Sequence, residues 1–95
     1  MRRQALIREI ASWADTVQRL LHDLYDIDPG NPTFEQAGLL DGKDTVDEFL
    51  VHNELGCALE HLLYMIHESE VEVDRAIIDS VHLVVAELGI ENPYE

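Results

Sequence analysis

The sequence predicts an all-α fold: one small domain over residues 1–95, built from four helices, three long and one short. Three observations carry this. Apolar residues recur at three- and four-residue steps through most of the chain, the period of a helix with one buried face. Gly and Pro number only five and three, too few for the turns of a many-stranded sandwich. A composition 46% hydrophobic and 27% charged is that of a chain that folds rather than of a disordered tail.

The first helix is expected over residues 3–24. Leu6, Ile7, Ile10, Ala14, Val17, Leu21 and Leu24 form its apolar stripe, widened by Trp13 and Leu20. Arg8, Glu9, Asp15, Gln18, Arg19 and Asp23 take the polar face. Pro29-Gly30-Asn31-Pro32 then stops any helix. Residues 26–44 read as a connection with a short helical turn near 33–37, ended by Gly38 and Asp41-Gly42. Nineteen residues exceed the usual helix–helix connection of about 2–8, so this segment is either packed or functional. Phe34, Leu39 and Leu40 are apolar enough to pin it to the core.

Asp44 or Thr45 is the expected N-cap of the short helix, with Thr45 and Glu48 spaced as a capping box. Val46, Phe49 and Leu50 are its buried side. Asn53 is expected to cap a third helix starting at Glu54, after a bend, with Gly56 allowing a close backbone approach. Leu55, Ala58, Leu59, Leu62, Leu63 and Ile66 form its stripe. The acidic stretch 68–74 alternates with Val71 and Val73 and reads as a connection with Val71 or Val73 tucked inward. The last helix, 74–88, buries Ile77, Ile78, Val81, Val84, Val85 and Leu88; Gly89 is its C′ residue and Pro93 lies beyond its end.

A search for chemistry returns little. The five histidines (22, 52, 61, 67 and 82) contain no His-Glu-x-x-His motif, and Asp79-Ser80-Val81-His82 lacks the second copy a di-iron bundle needs. They read as surface or rim residues. Cys57, the single cysteine, excludes an internal disulfide and a multi-cysteine zinc site. Without oxyanion or substrate-binding motifs beside it, it reads as a small packed residue rather than a nucleophile. No catalytic residue, metal ligand or cofactor-binding residue is assigned, and the protein is read as a non-enzyme. No signal peptide or 18-residue apolar run is present, which places the expected protein in the cytoplasm.

Charge is the informative feature. The net charge is −14, which argues against nucleic acid and against an anionic membrane as direct partners. Residues 1–20 hold Arg2, Arg3, Arg8 and Arg19 against Glu9 and Asp15. Residues 21–95 hold Lys43 and Arg75 against eighteen carboxylates, a net of −16. Such a field suits a cationic protein partner, whose encounter it would speed and orient.

The segment His52-Asn53-Glu54-Leu55-Gly56-Cys57-Ala58-Leu59-Glu60-His61-Leu62-Leu63 resembles the MafI-like immunity proteins of bacterial polymorphic toxin systems. There a short helix ends in a Gly-Glu-aromatic-Gly-Leu-Ala-Leu-Glu-type turn that opens the next helix. Glu54, Gly56, Ala58, Leu59 and Glu60 fall on that pattern; Asn53, Leu55 and Cys57 depart from it. The likeness covers residues 44–91, including the acidic connection and the helix closing on Leu88-Gly89-Ile90.

The resemblance implies an immunity protein that binds a cognate toxin domain and neutralises it by occlusion; the acidic charge points to a basic, nucleic-acid-cleaving toxin, whose substrate demands a positive cleft. Charge density alone nominates the partner-binding residues: Asp41, Asp44, Asp47, Glu48 and Glu54 around the bend, and Glu68, Glu70, Glu72 and Asp74 after the third helix. The alternative is an acidic adaptor or regulator without a toxin partner, one form of it a homodimer held through the apolar face of the first helix.

Overall fold

The computed structural model describes residues 3–36, 38–69 and 71–92. Among them the chain forms α1 (Arg3–Ile27), a 3₁₀ turn (Pro32–Glu35), α2 (Gly42–Val51), α3 (Leu55–Glu68) and α4 (Arg75–Glu87), with no strand. The all-α reading and the four helices stand as expected. Glu70, Ala37 and Pro93, to which the sequence assigned roles, lie outside the described residues.

Helix α1 follows its stripe: Leu6, Ile10, Ala14, Val17 and Leu21 are buried. It runs a turn past Leu24, because nothing opposes helical backbone until the residue before Pro29. That stripe packs inside the chain, into one cluster with Leu39, Val46, Leu50, Leu59, Leu62, Met65, Val81 and Val85. The homodimer variant of the adaptor reading therefore loses the face it was given.

Gln18 is the first correction. It was placed on the polar face, yet it is buried. Its Nε2 donates to the Leu39 carbonyl at 3.1 Å, and its Oε1 accepts from the Lys43 backbone N–H at 2.8 Å. Both polar ends are satisfied, which is what makes burial of an amide tolerable. The long connection is thus packed: Leu39 is fully buried, while Phe34 rests against the core and meets Tyr25 edge to face. Within it, Asn31 caps the 3₁₀ turn by accepting from the Thr33 N–H at 2.9 Å, with Pro32 at the first position.

The expected caps of α2 and α3 are also corrected. Helix α2 starts at Gly42 rather than ending a turn there. Its N-cap residue is Asp41, not Asp44 or Thr45, and makes no side-chain cap bond. Gln18, reaching across from α1, accepts one of the N–H groups that a helix start leaves without a partner. Tertiary packing has replaced the local capping box.

Asn53 does not cap α3. The N-cap residue is Glu54, and Asn53 stands at φ 61°, in the left-handed region. The Asn53 N–H donates to the Leu50 carbonyl at 3.0 Å and the Glu54 N–H to the Phe49 carbonyl at 2.8 Å. This pair of bonds closes the C-terminus of α2 in a Schellman motif, a position that asparagine tolerates. Gly89 does the same for α4 at φ 67°, with Ile90 N–H donating to the Val85 carbonyl.

Close helix approach falls to a different glycine. A Cβ on Gly56 would meet only Ile90 Cδ1, at 3.9 Å, an ordinary contact. A Cβ on Gly42 would stand 2.5 Å from Met65 Sδ and 2.9 Å from its Cγ. Met65 is fully buried, so Gly42 is what lets α2 start against α3.

Val71 and Val73 do pack inward. On α4, Val81, Val84 and Val85 are buried, but Ile77 and Ile78 are only half-buried and Leu88 is 44% exposed. The expected six-residue stripe is three residues deep.

Candidate partner-binding surface

Helix α2 turns Val46 and Leu50 inward, and its three- and four-residue steps set Asp41, Asp44 and Glu48 along the outer side. All three are exposed, and Val51, 82% exposed, ends the row. Asp44 and Glu48 are four apart, a like-charge spacing that weakens an isolated helix. Asp47 is half-buried and pairs with Lys43. Lys43 is held above its ordinary value of 10.5, first by that hydrogen bond to Asp47; burial pulls the other way, and the negative charge of Asp47, Asp15 and Asp44 adds to the rise.

Glu54 is exposed at the turn into α3. The turn itself is clasped from a distance: the Arg3 guanidinium donates through Nε to Asn53 Oδ1 and through Nη2 to the Asn53 carbonyl. In the acidic connection, Glu72 and Asp74 are exposed and Glu68 is half-buried. Asp74 is committed structurally, since its Oδ1 accepts from the Ala76 N–H at 2.8 Å and caps α4. The nominated carboxylates therefore fall on two segments, the α2 row with the following turn and the 68–74 connection.

Ion pairing neutralises few of them. Among the described residues the salt bridges are Arg19–Asp15, Lys43–Asp47 and Arg75–Asp79, each four residues apart on one helix. Asp41, Asp44, Glu48, Glu54 and Glu60 take part in none.

The structure adds neighbours that charge density did not nominate. Phe49, Cys57, Glu60, His61 and Tyr64 line an open groove between α2 and α3. Cys57 is exposed there, not packed against a neighbouring helix as expected. His61 is half-buried, and its Nε2 lies 3.1 Å from the Gly38 carbonyl. A carbonyl can only accept, so Nε2 carries a proton. His22 makes the same contact with the Leu40 carbonyl at 3.0 Å. Two of the five histidines are thus fasteners for the 38–40 loop. A polar residue that bonds a distant carbonyl looks, in sequence, like any other surface polar residue.

No group of three or more His, Cys, Asp or Glu among the described residues is arranged to hold a metal ion, and none of their helices is long and apolar enough to cross a membrane. No protein-family model, no curated protein and no solved structure matches this chain.

Proposed function

We propose that this protein is an immunity protein: it binds a cognate, basic, nucleic-acid-cleaving toxin domain in the cytoplasm and neutralises it by occluding the substrate cleft. The observation that carries the reading is the −16 of residues 21–95, carried largely on exposed carboxylates; among the described residues of that region only Asp47 and Asp79 have a basic partner. A toxin that cleaves nucleic acid needs a positive cleft, and a surface of unneutralised carboxylates is its complement. The likeness of residues 44–91 to MafI-like immunity proteins supports the immunity role, and the charge points to the toxin class. Occlusion asks for no chemistry from the inhibitor.

The test is binding kinetics against the product of the adjacent gene, at two salt concentrations. Steering of this kind raises association rates about 10–1000-fold and fades as the Debye length falls below about 10 Å. Replacing Asp41, Asp44 and Glu48 by their amides is expected to slow association at least about tenfold at low salt and to flatten its salt dependence. The fold persists, because no helix cap or ion pair depends on these side chains. Failure of the two proteins to associate at micromolar concentration in low salt overturns the immunity reading in favour of the adaptor.

A further inference from the structure

The α2–α3 groove offers more than charge. Its walls are the half-buried rings of Phe49 and Tyr64, its edge carries the exposed Glu60 carboxylate, and Cys57 leaves it open at the surface. With a volume of about 260 Å³ it falls below the roughly 300–1,000 Å³ of small-molecule pockets, a size suited to one long side chain. The His61 ring, next to Tyr64 at 5.5 Å between centroids, is anchored by its bond to Gly38. That side of the groove is therefore formed before anything binds.

We propose that this groove receives an arginine side chain from a basic segment of the partner protein. The proposal rests on the reading above and gives it a location. Aromatic faces attract a cation within about 6 Å, and arginine more often than lysine, because its planar guanidinium also stacks. Glu60 supplies a carboxylate that no cation among the described residues neutralises, and the fork of arginine matches carboxylate geometry. The row Asp41, Asp44 and Glu48, on the helix that contributes Phe49, gives flanking basic residues a place to lie. The other acidic segment offers less: Asp74 is spent on capping α4, and Val71 and Val73 point into the core.

An octa-arginine peptide titrated into the full chain at low salt, followed by amide chemical shifts, tests the groove alone. Shifts are expected to concentrate at Phe49, Cys57, Glu60, His61 and Tyr64 and along residues 41–48, and octa-lysine is expected to bind several-fold more weakly. Cys57→Trp places a large side chain in the groove from an exposed position, so the fold is retained; it is expected to weaken octa-arginine binding at least tenfold, whereas Leu83→Trp, on the exposed side of α4 and outside the groove, leaves it unchanged. Shifts spread evenly over all carboxylates, undiminished binding by Cys57→Trp, or no binding below millimolar concentration overturns the proposal. If the peptide maps to the groove but the adjacent gene's product does not bind, the arginine site stands and the toxin is removed as its owner.

Discussion

Helices α3 and α4 are nearly equal in length, 14 and 13 residues, yet α3 buries six side chains and α4 three. The stripes that announce them look alike. What differs is the number of neighbours. Helix α3 packs against α1, α2 and α4, so a wide arc of its surface is covered, whereas α4 packs chiefly on α3. The outer part of the α4 stripe is only partly covered: Ile77 and Ile78 are half-buried and Leu88 is 44% exposed, and Leu83, off the stripe, is 61% exposed. Periodicity identifies which side of a helix is apolar, while the count of neighbours decides how much of that side is buried.

The largest effect that could break this contrast is a truncation in α3. Leu62 is fully buried, and Leu62→Ala is expected to cost about 2–5 kcal/mol in denaturant melts. Leu83→Ala on α4 is expected to change stability by less than about 0.5 kcal/mol. Native-state hydrogen exchange should sharpen the same point, with α4 amides opening before those of α3. Similar costs for the two truncations would show that α4 is as deeply held as α3.

A smaller effect separates two glycines on either side of the α2–α3 turn. Gly42→Ala is expected to cost about 1–3 kcal/mol, because the new methyl overlaps the buried Met65 side chain. Gly56→Ala should instead gain up to about 1 kcal/mol, since the position is helical and its surroundings have room. Thermal melts of the two variants decide it; a stabilising Gly42→Ala would mean that Met65 moves aside at little cost.

The smallest effect concerns Lys43, whose pKa is raised in the fold by Asp47. A group whose folded pKa is raised stabilises fully below its unfolded value and loses that contribution as pH climbs through the folded value. The Lys43–Asp47 pair should therefore contribute constantly from neutral pH up to about pH 10 and fade above it. Both partners are partly exposed, which keeps the contribution under about 1 kcal/mol. Urea melts of Lys43→Met against the wild type should converge at alkaline pH; a difference that widens there would contradict the assignment.

Much of the fold was legible in the chain. The stripes of α1 and α3, the inward turn of Val71 and Val73, and Gly89 as a C′ residue follow from local patterns with one dominant reading. Four positions misled: Gln18, Gly42 and Gly56 because their surroundings are set by residues far away in sequence, and Asn53 because two local readings compete. Gln18 looks like any polar residue beside a stripe until Leu39 and Lys43 arrive to bond it. Asn53 suits a helix start and a left-handed helix end equally well, and the geometry of the turn chose the latter. Gly42 and Gly56 are indistinguishable until Met65 is placed against one of them.

At the candidate surface, sequence located the acidic row on α2 but missed the groove beside it. Phe49 was assigned to the core and Cys57 to packing, and neither assignment signals a shared cleft. Facing residues on two helices become visible as one feature only when the angle of the intervening turn is known.

The Arg3–Asn53 clasp has a topological consequence. Arg3, at the start of α1, and Ile90, just past the end of α4, line a common hollow with residues 53–57. The start of α1 and the end of α4 thus lie at the same pole of the bundle. A short peptide joining these ends would span little distance, and the exposed Asp28-Pro29-Gly30 corner offers a place for a new break. The order in which the helices leave the ribosome could in this way be permuted while the core keeps its neighbours.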